Sequence, residues 1–164
     1  MPHPVIRLAT ESDLRAIEEI YNYYIPHSTC TYQEEVAPFA TRVDWFKRHG
    51  PRHPITVAER DGQVVGWGSL SDFRERSAYR FTCEDSVYVH HEHHGRGIGA
   101  ALLADLIARA RALDYHTIIA GADAEQTASI ALHRKFGFEP VAHLKQVGYK
   151  FERWLDVVFL QLML

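Results

Sequence analysis

Hydrophobic and polar residues recur along the chain with two periods, one typical of strands and one typical of helices. Apolar runs rich in β-branched and aromatic residues predict strands at residues 5–8, 55–59, 64–70, 83–89 and 117–120, and near 138–142 and 155–163. Helical spacing predicts helices from Thr10 to Pro26, from Thr41 to His49, from Ile98 onward and around Ser129. Because strands lie on both sides of the helices and no linker or repeat divides the chain, we expect one α/β or α+β domain spanning residues 1–164.

Two local signals refine this pattern. Asp61 and Gly62 separate two predicted strands and predict a tight hairpin turn. Thr10 followed by Asp13 predicts a capped helix start, whereas residues 27–40 predict a loop with short extended pieces.

A predicted strand runs directly into a glycine-rich loop and then into a helix at residues 86–103. Gly95, Gly97 and Gly99 lie within five residues, and the helical apolar spacing begins at Ile98. The N-terminus of a helix exposes unpaired N–H groups and favours negative charge, while glycine lets a phosphate approach the backbone. Arg96 adds to the loop a guanidinium that can donate two parallel hydrogen bonds to a phosphate. The segment therefore predicts a site for a phosphorylated cofactor.

The glycine loop fits two common nucleotide-binding patterns less well. Gly95, Gly97 and Ala100 satisfy the dinucleotide pattern, with Asp123 at a suitable distance. That loop normally opens its domain, whereas only 65 of the 164 residues follow Gly99 here. A Walker-type loop is excluded because no Gly-Lys-Ser/Thr follows. A tight turn that binds nothing remains the simplest alternative.

Composition narrows the classes of partner. The net charge is -3 with no basic run, so we expect no nucleic-acid partner. The chain has no 18-residue apolar run and begins without a signal-peptide core, so we expect no membrane partner and a cytoplasmic location. Cys30 and Cys83 have neither a zinc nor a redox spacing. The histidine-rich segment 90–94 lacks metal-ligand spacing, so we expect no metal.

A second motif follows the glycine loop, where a short predicted helix ends at a glycine and an aromatic residue resumes a strand. Together the two motifs resemble the GNAT superfamily of N-acetyltransferases, which carries Gln/Arg-x-x-Gly-x-Gly/Ala and then Asn-x-x-Ala-x-x-x-Tyr-x-x-x-Gly-Phe. The matching positions are His94, Gly97, Gly99, Gln126, Ser129, His133, Gly137 and Phe138. His94 replaces Gln/Arg, Gln126 replaces Asn and His133 replaces Tyr.

Longer segments narrow the resemblance to one branch of that superfamily. Residues 72–74, 84–89, 132–133 and above all 146–156 are similar to the phosphinothricin and methionine-sulfoximine acetyltransferases. The resemblance implies a central mixed, mostly antiparallel twisted sheet flanked by helices, and a homodimer. It also implies direct transfer of acetyl from acetyl-CoA, in a ternary complex, to the α-amino group of a small amino acid-like acceptor.

The resemblance also assigns a cofactor site. Val89 would donate a backbone N–H to the acetyl carbonyl. The remaining implied cofactor-binding residues are Val87, Tyr88, His94, Gly95, Arg96, Gly97, Ile98, Gly99, Ala100, Gln126, Ser129 and His133. His133 takes the place of the superfamily's general-acid tyrosine; an imidazolium that protonates the thiolate, a neutral ring bonded to cofactor and a surface histidine are all open.

For the acceptor, the resemblance implies binding by Arg74, Glu84, Asp85 and Ser86. Glu84 is the expected general base, acting directly or through a water; it could instead only anchor the ammonium. Arg74 suits a carboxylate because its planar fork makes two parallel hydrogen bonds, and Arg76 is a weaker candidate in the same loop. Trp154 could line the acceptor pocket or a dimer contact.

The sequence leaves two further functions open. A protein N-terminus or a polyamine could be the acceptor, although a polyamine favours an acidic pocket and the loop of Arg74 carries arginines. A module that binds acyl-CoA without catalysis is the alternative from another class of protein.

Overall fold

The computed structural model describes residues 3–164, in which one seven-stranded sheet carries helices on both faces. In chain order the elements are β1 (Val5–Leu8), α1 (Leu14–His27), α2 (Phe39–Arg48), β2 (Ile55–Arg60), β3 (Gln63–Asp72), β4 (Thr82–Val89), α3 (Ile98–Ala112), β5 (Thr117–Asp123), α4 (Thr127–Lys135), β6 (Glu139–Lys150) and β7 (Arg153–Met163). The strands are ordered β1-β2-β3-β4-β5-β7-β6, and every neighbouring pair is antiparallel except β4 and β5. The expected mixed, mostly antiparallel sheet is therefore confirmed.

The two faces of the sheet are covered by different helices. On one face, Leu14 and Ile17 of α1 pack against Val57 and Trp67. On the other, Leu103 and Leu106 of α3 belong to a larger core with residues of β3, β4, β5 and β7. Because side chains alternate along a strand, neighbours on β4 face different helices.

β4 and β5 separate partway along their length. Their parallel pairing covers only Thr82 to Glu84 against Thr117 to Ile119, after which β5 continues along β7 and β4 along β3. The N–H of His90 donates to the carbonyl of Val65 on β3 at 2.9 Å. Because N–H directions alternate along a strand, the N–H groups of Val87 and Val89 point away from β3, into the opening between β4 and β5.

Most predicted element boundaries agree with the structure. The hairpin turn at Asp61 and Gly62 is confirmed, with φ of 51° and 75°. A short 3-10 turn precedes α1, where the Asp13 carboxylate accepts from the backbone N–H of Thr10 at 2.7 Å. The main departure is β6, which continues from the predicted end near residue 142 to Lys150.

The long hairpin of β6 and β7 forms one end of the sheet. All residues of β6 from Glu139 to Val147 are exposed, because β6 is an edge strand with no helix over it. Among the helices of residues 3–164, none has both the length and the hydrophobicity needed to cross a membrane.

Candidate active site

Glu84 lies at the point where β4 and β5 separate. Its Oε1 reaches over β5, so a Cβ at Gly121 would lie 3.5 Å from it. Within residues 3–164 no hydrogen bond or ion pair engages the Glu84 carboxylate. Burial, with a smaller contribution from the negative charge of Asp85, raises the pKa of Glu84, while Arg74 opposes that rise. A half-buried carboxylate with a raised pKa and no protein partner is suited to accept a proton from a ligand.

Asp85 faces the opposite side of the sheet from Glu84. Its Oδ2 lies 2.9 Å from Nε2 of His133, whose Nδ1 lies 2.8 Å from the carbonyl oxygen of Ser129. The side chains of Asp85 and His133 are 1% and 7% exposed. The resemblance assigned Asp85 to the acceptor, but strand alternation directs it toward α4 instead.

The environment of His133 favours its charged form. Burial lowers the pKa of His133, but the hydrogen bond and charge of Asp85, together with the Ser129 carbonyl, outweigh burial and raise it. An imidazolium donates from both nitrogens, which matches two acceptors. His133 is therefore not a surface residue, and both of its nitrogens are already paired within the protein.

The glycine loop leads into α3 as the motif predicts. Gly97 is the N-cap of α3 with a φ of 76°, a conformation that disfavours residues with a Cβ. A Cβ at Gly97 would meet nothing within 4 Å, so space lies open beside the helix N-terminus. The N–H groups of Ile98, Gly99 and Ala100 have no partner inside the helix because they belong to its first turn. These features fit a phosphate group of a cofactor.

His94 connects the glycine loop to the end of β4. The Tyr24 hydroxyl donates to the carbonyl oxygen of Val89, and Nε2 of His94 lies 2.7 Å from that hydroxyl. Arg96 follows in the loop, with Nη1 3.4 Å from Nδ1 of His93. The loop thus exposes a guanidinium and a histidine beside the open N-terminus of α3.

Gln126 contacts a loop of the protein rather than the opening. Its Nε2 donates to Oγ1 of Thr29 at 3.0 Å and to Oγ of Ser28 at 3.3 Å. Ser129 lies in the first turn of α4, and its carbonyl oxygen is the hydrogen-bond partner of His133 Nδ1. Gln126 therefore links α4 to the segment between α1 and α2.

That segment, residues 28–33, is held by groups that the sequence did not single out individually. Lys150, 2% exposed, donates to the carbonyl oxygens of Ser28 at 2.8 Å and Thr31 at 2.7 Å. The Tyr32 hydroxyl donates to Asp123 at 2.6 Å. A Cβ at Gly148 would lie 2.4 Å from the Tyr32 ring, so only glycine fits there. Lys150 and Gly148 belong to the segment 146–156 that carries the narrower resemblance.

Two adjoining cavities open on the Glu84 face of the sheet. The first has a volume of about 320 Å³ and lies between α1, α2 and strands β3 and β4. The second, of about 440 Å³, is lined in part by Asp72, Arg74 and Glu75. Arg48 and Ser71 line both. The cavities therefore form a continuous surface next to Glu84, whose cross-strand partner is Ser71.

Arg74 is exposed at the rim of the second cavity. Its guanidinium lies 4.5 Å from the ring centroid of Phe73, and Nη1 donates to the Phe73 carbonyl at 3.2 Å. Arg76 does not line this cavity. Within residues 3–164, no three histidine, cysteine or acidic side chains converge as a metal site would require.

Comparisons with known proteins agree with this geometry. Residues 16–138 match the model of the acetyltransferase (GNAT) family. The chain is 41% identical to an L-methionine sulfoximine/L-methionine sulfone acetyltransferase of Salmonella typhimurium, over 97% of this chain and 94% of the relative. It is 40% identical to the structure of a phosphinothricin acetyltransferase from Sinorhizobium meliloti in complex with AcCoA, with a TM-score of 0.96 and coverage of 99% and 89%.

A third relative has a different described activity. The structure of a ribosomal-protein-alanine N-acetyltransferase from Brucella melitensis is 45% identical, with a TM-score of 0.95 and coverage of 98% and 99%. The family match covers most of the chain, and the relatives align with nearly all of it. The chain belongs to the acetyltransferase (GNAT) family.

Proposed function

We propose that this enzyme transfers the acetyl group of acetyl-CoA to the α-amino group of a small amino acid-like acceptor. The observation that carries the proposal is the position of Glu84, unpaired at the mouth of the opening and adjoining cavities lined by arginines. Relatives described as methionine sulfoximine, methionine sulfone and phosphinothricin acetyltransferases support acceptors of that type.

The cofactor would lie along the opening between β4 and β5. The N–H groups of Ile98, Gly99 and Ala100, with Arg96, are placed to hold its pyrophosphate. The N–H groups of Val87 and Val89 line the opening, so Val89 can donate to the acetyl carbonyl as its negative charge develops. Acetyl-CoA supplies the thioester that is broken.

The transfer needs one base that removes a proton from the amine substrate. Glu84 takes a proton from the α-ammonium, the amine nitrogen forms a bond to the acetyl carbon, and the bond from that carbon to sulfur breaks. The thiolate leaves and takes up the second proton, which the nitrogen loses as it becomes an amide. A free α-amino group has a pKa of about 7.7 to 8.0, so a carboxylate with a raised pKa is a sufficient base near neutral pH.

His133 acts in this scheme as a positioning residue. Its ion pair with Asp85 joins α4 to β4 on the side of the sheet opposite Glu84. Because neither ring nitrogen is free, the geometry supports holding the two elements in place more than direct protonation of the thiolate.

A second candidate, acetylation of a protein N-terminus, is favoured by the Brucella melitensis relative. Polyamines are disfavoured because Arg42, Arg48 and Arg74 line the two cavities. The test is release of free CoA with methionine sulfone, methionine sulfoximine and phosphinothricin, compared with a peptide beginning with alanine and with spermidine. Turnover restricted to the peptide would replace the proposed function, and acetyl-CoA binding without turnover of any acceptor would indicate a binding module.

Arg74→Ala is expected to raise the KM for an amino acid-like acceptor by about 10- to 100-fold, because an α-carboxylate loses a charge-assisted hydrogen bond. Acetyl-CoA affinity should not change, since the phosphates bind at the other loop. Steady-state kinetics with methionine sulfone measures both. Arg76→Ala is the matched comparison, because it removes an exposed arginine from the same loop outside the cavity. Equal effects of the two variants would contradict a specific role for Arg74.

We also propose that the enzyme is a homodimer that associates through β6. This edge strand and its neighbour expose a row of apolar side chains, namely Val141, Leu144, Val147, Tyr149 and Trp154. Exposed apolar edges of this kind pair with other chains.

A cytoplasmic location is proposed as well, supported by the free thiols of Cys30 and Cys83.

Light scattering at micromolar concentration is expected to give twice the subunit mass. Val147→Asp should shift the equilibrium toward monomer, because it places a charge on the proposed contact. Val5→Asp is the control: Val5 is 63% exposed on β1, the opposite edge strand, and its replacement should leave the mass unchanged. A monomeric wild-type protein would refute the proposal.

A further inference from the structure

Arg42 on α2 is a half-buried arginine whose partners are aromatic rings. Its guanidinium carbon lies 4.6 Å from the ring centroid of Trp45, 4.9 Å from that of Tyr21 and 5.7 Å from that of Trp67. Burial lowers the pKa of Arg42. Within residues 3–164 no carboxylate lies within ion-pair distance of it; Glu18, which lines the same cavity, pairs with Arg15 at 3.7 Å.

The floor of the cavity beneath Arg42 carries hydroxyl groups. Trp67 of β3 lines part of this floor, although its indole Nε1 is buried away from solvent and has no partner in the described structure. Ser69 and Ser86 add hydroxyl groups to the same floor. A cavity with a guanidinium that lacks a carboxylate partner, together with hydroxyl groups, is suited to a ligand group that carries oxygen acceptors.

This cavity is continuous with Glu84 along one face of the sheet. Ser71 is paired with Glu84, Ser69 with Ser86, and Trp67 with Tyr88, so all six side chains share that face. Ser86, which lines the same cavity as Arg42, lies two residues, or about 7 Å, beyond Glu84 along β4. An extended acceptor with its ammonium at Glu84 would therefore direct its side chain toward Arg42.

We propose that Arg42 binds an oxygen of the group that ends the acceptor's side chain, a tetrahedral sulfonyl, sulfoximine or phosphinyl group. This inference rests on the proposed function, in which Arg74 binds the α-carboxylate and Glu84 the amine. Arg42 then selects acceptors whose side chain carries such an oxygen over hydrocarbon or thioether side chains of the same length.

The test is the kinetics of Arg42→Met with two acceptors of the same carbon skeleton, methionine sulfone and methionine. Methionine replaces the guanidinium with a flexible apolar chain that still packs on the rings. We expect the KM for methionine sulfone to rise about 10- to 150-fold, the loss of one charge-assisted hydrogen bond, with kcat nearly unchanged. The KM or inhibition constant of methionine should change less than threefold, because its thioether sulfur is only a weak acceptor for the guanidinium.

Arg52→Met is the matched control, because Arg52 also lies over an aromatic ring, 4.7 Å from the centroid of Tyr115, but lines neither cavity. It should leave both acceptors unaffected. Equal losses with the two acceptors in Arg42→Met, or a changed acetyl-CoA affinity, would overturn the inference while leaving the proposed function intact. A wild-type enzyme that releases CoA with none of methionine sulfone, methionine sulfoximine and phosphinothricin would overturn the proposed function, and this inference with it.

Discussion

Glu84→Gln is expected to lower kcat by about 10²- to 10⁴-fold at neutral pH, the usual contribution of a positioned general base. The glutamine keeps the size of the side chain beside Gly121 but cannot accept the proton. The defect should shrink as the pH rises above the pKa of the acceptor amine, since the amine is then already neutral. Because the pKa of Glu84 is raised, the acidic limb of the wild-type kcat/KM profile should lie above the ordinary range of a glutamate.

A pH–rate profile of both proteins with methionine sulfone tests this expectation. Glu19→Gln is the control, because Glu19 is an exposed carboxylate of α1 that lines neither cavity. A Glu84→Gln defect that stays constant to high pH would assign Glu84 to binding the ammonium. Wild-type activity in Glu84→Gln would remove the base from the mechanism.

Gly97→Val is expected to weaken acetyl-CoA binding by about 100-fold, which corresponds to two lost charge-assisted hydrogen bonds of about 1.5 kcal/mol each. The new side chain would occupy the open space beside the N-terminus of α3, where a phosphate approaches the backbone N–H groups. Isothermal titration calorimetry with acetyl-CoA measures the change.

The control must distinguish two effects of Gly97→Val: the backbone strain of a β-branched residue at positive φ, and the loss of the phosphate contacts. Gly62 offers a close match, with a φ of 75° against 76° at Gly97 and equally open surroundings, but it lies in the hairpin turn far along the chain from the glycine loop. Gly62→Val should lower the melting temperature to a similar degree without changing acetyl-CoA affinity. Unchanged affinity in folded Gly97→Val would exclude the loop from the cofactor site.

The parts of the fold that the sequence predicts well are those with a strong local cause. The turn at Asp61 and Gly62 requires positive φ, and α3 follows a clear helical spacing from Ile98. The second half of β6 escapes prediction because residues 143–147 are exposed and the buried positions beyond them are Gly148 and Lys150, so no alternation of apolar residues marks the strand. Its pairing also shifts register between Leu144 and Gly148, which depends on the partner strand rather than on local sequence.

In the candidate site, too, the features with a local cause are predictable and those that depend on tertiary packing are not. The glycine loop is recognisable because its chemistry lies within six neighbouring residues, whereas the pairing of Asp85 with His133 joins positions 48 residues apart. Strand alternation could have separated Asp85 from Glu84 and Ser86, since neighbours on a strand face opposite sides. The spacing of Arg42 and Trp45 places them on one side of α2, but it does not indicate that Tyr21 and Trp67 join them, because those contacts require α1, α2 and β3 to pack together.

Lys150 connects residues 28–33 to the hairpin of β6 and β7 at the end of the sheet. Its ammonium fixes two carbonyls of residues 28–33, and the same hairpin carries the apolar row proposed as the subunit contact. A partner that stiffens this hairpin would also stiffen the segment that Gln126 and Tyr32 hold beside the opening. If the enzyme assembles through this hairpin as proposed, assembly and acceptor binding would be thermodynamically linked, and each subunit would bind its acceptor more tightly in the assembled state than alone.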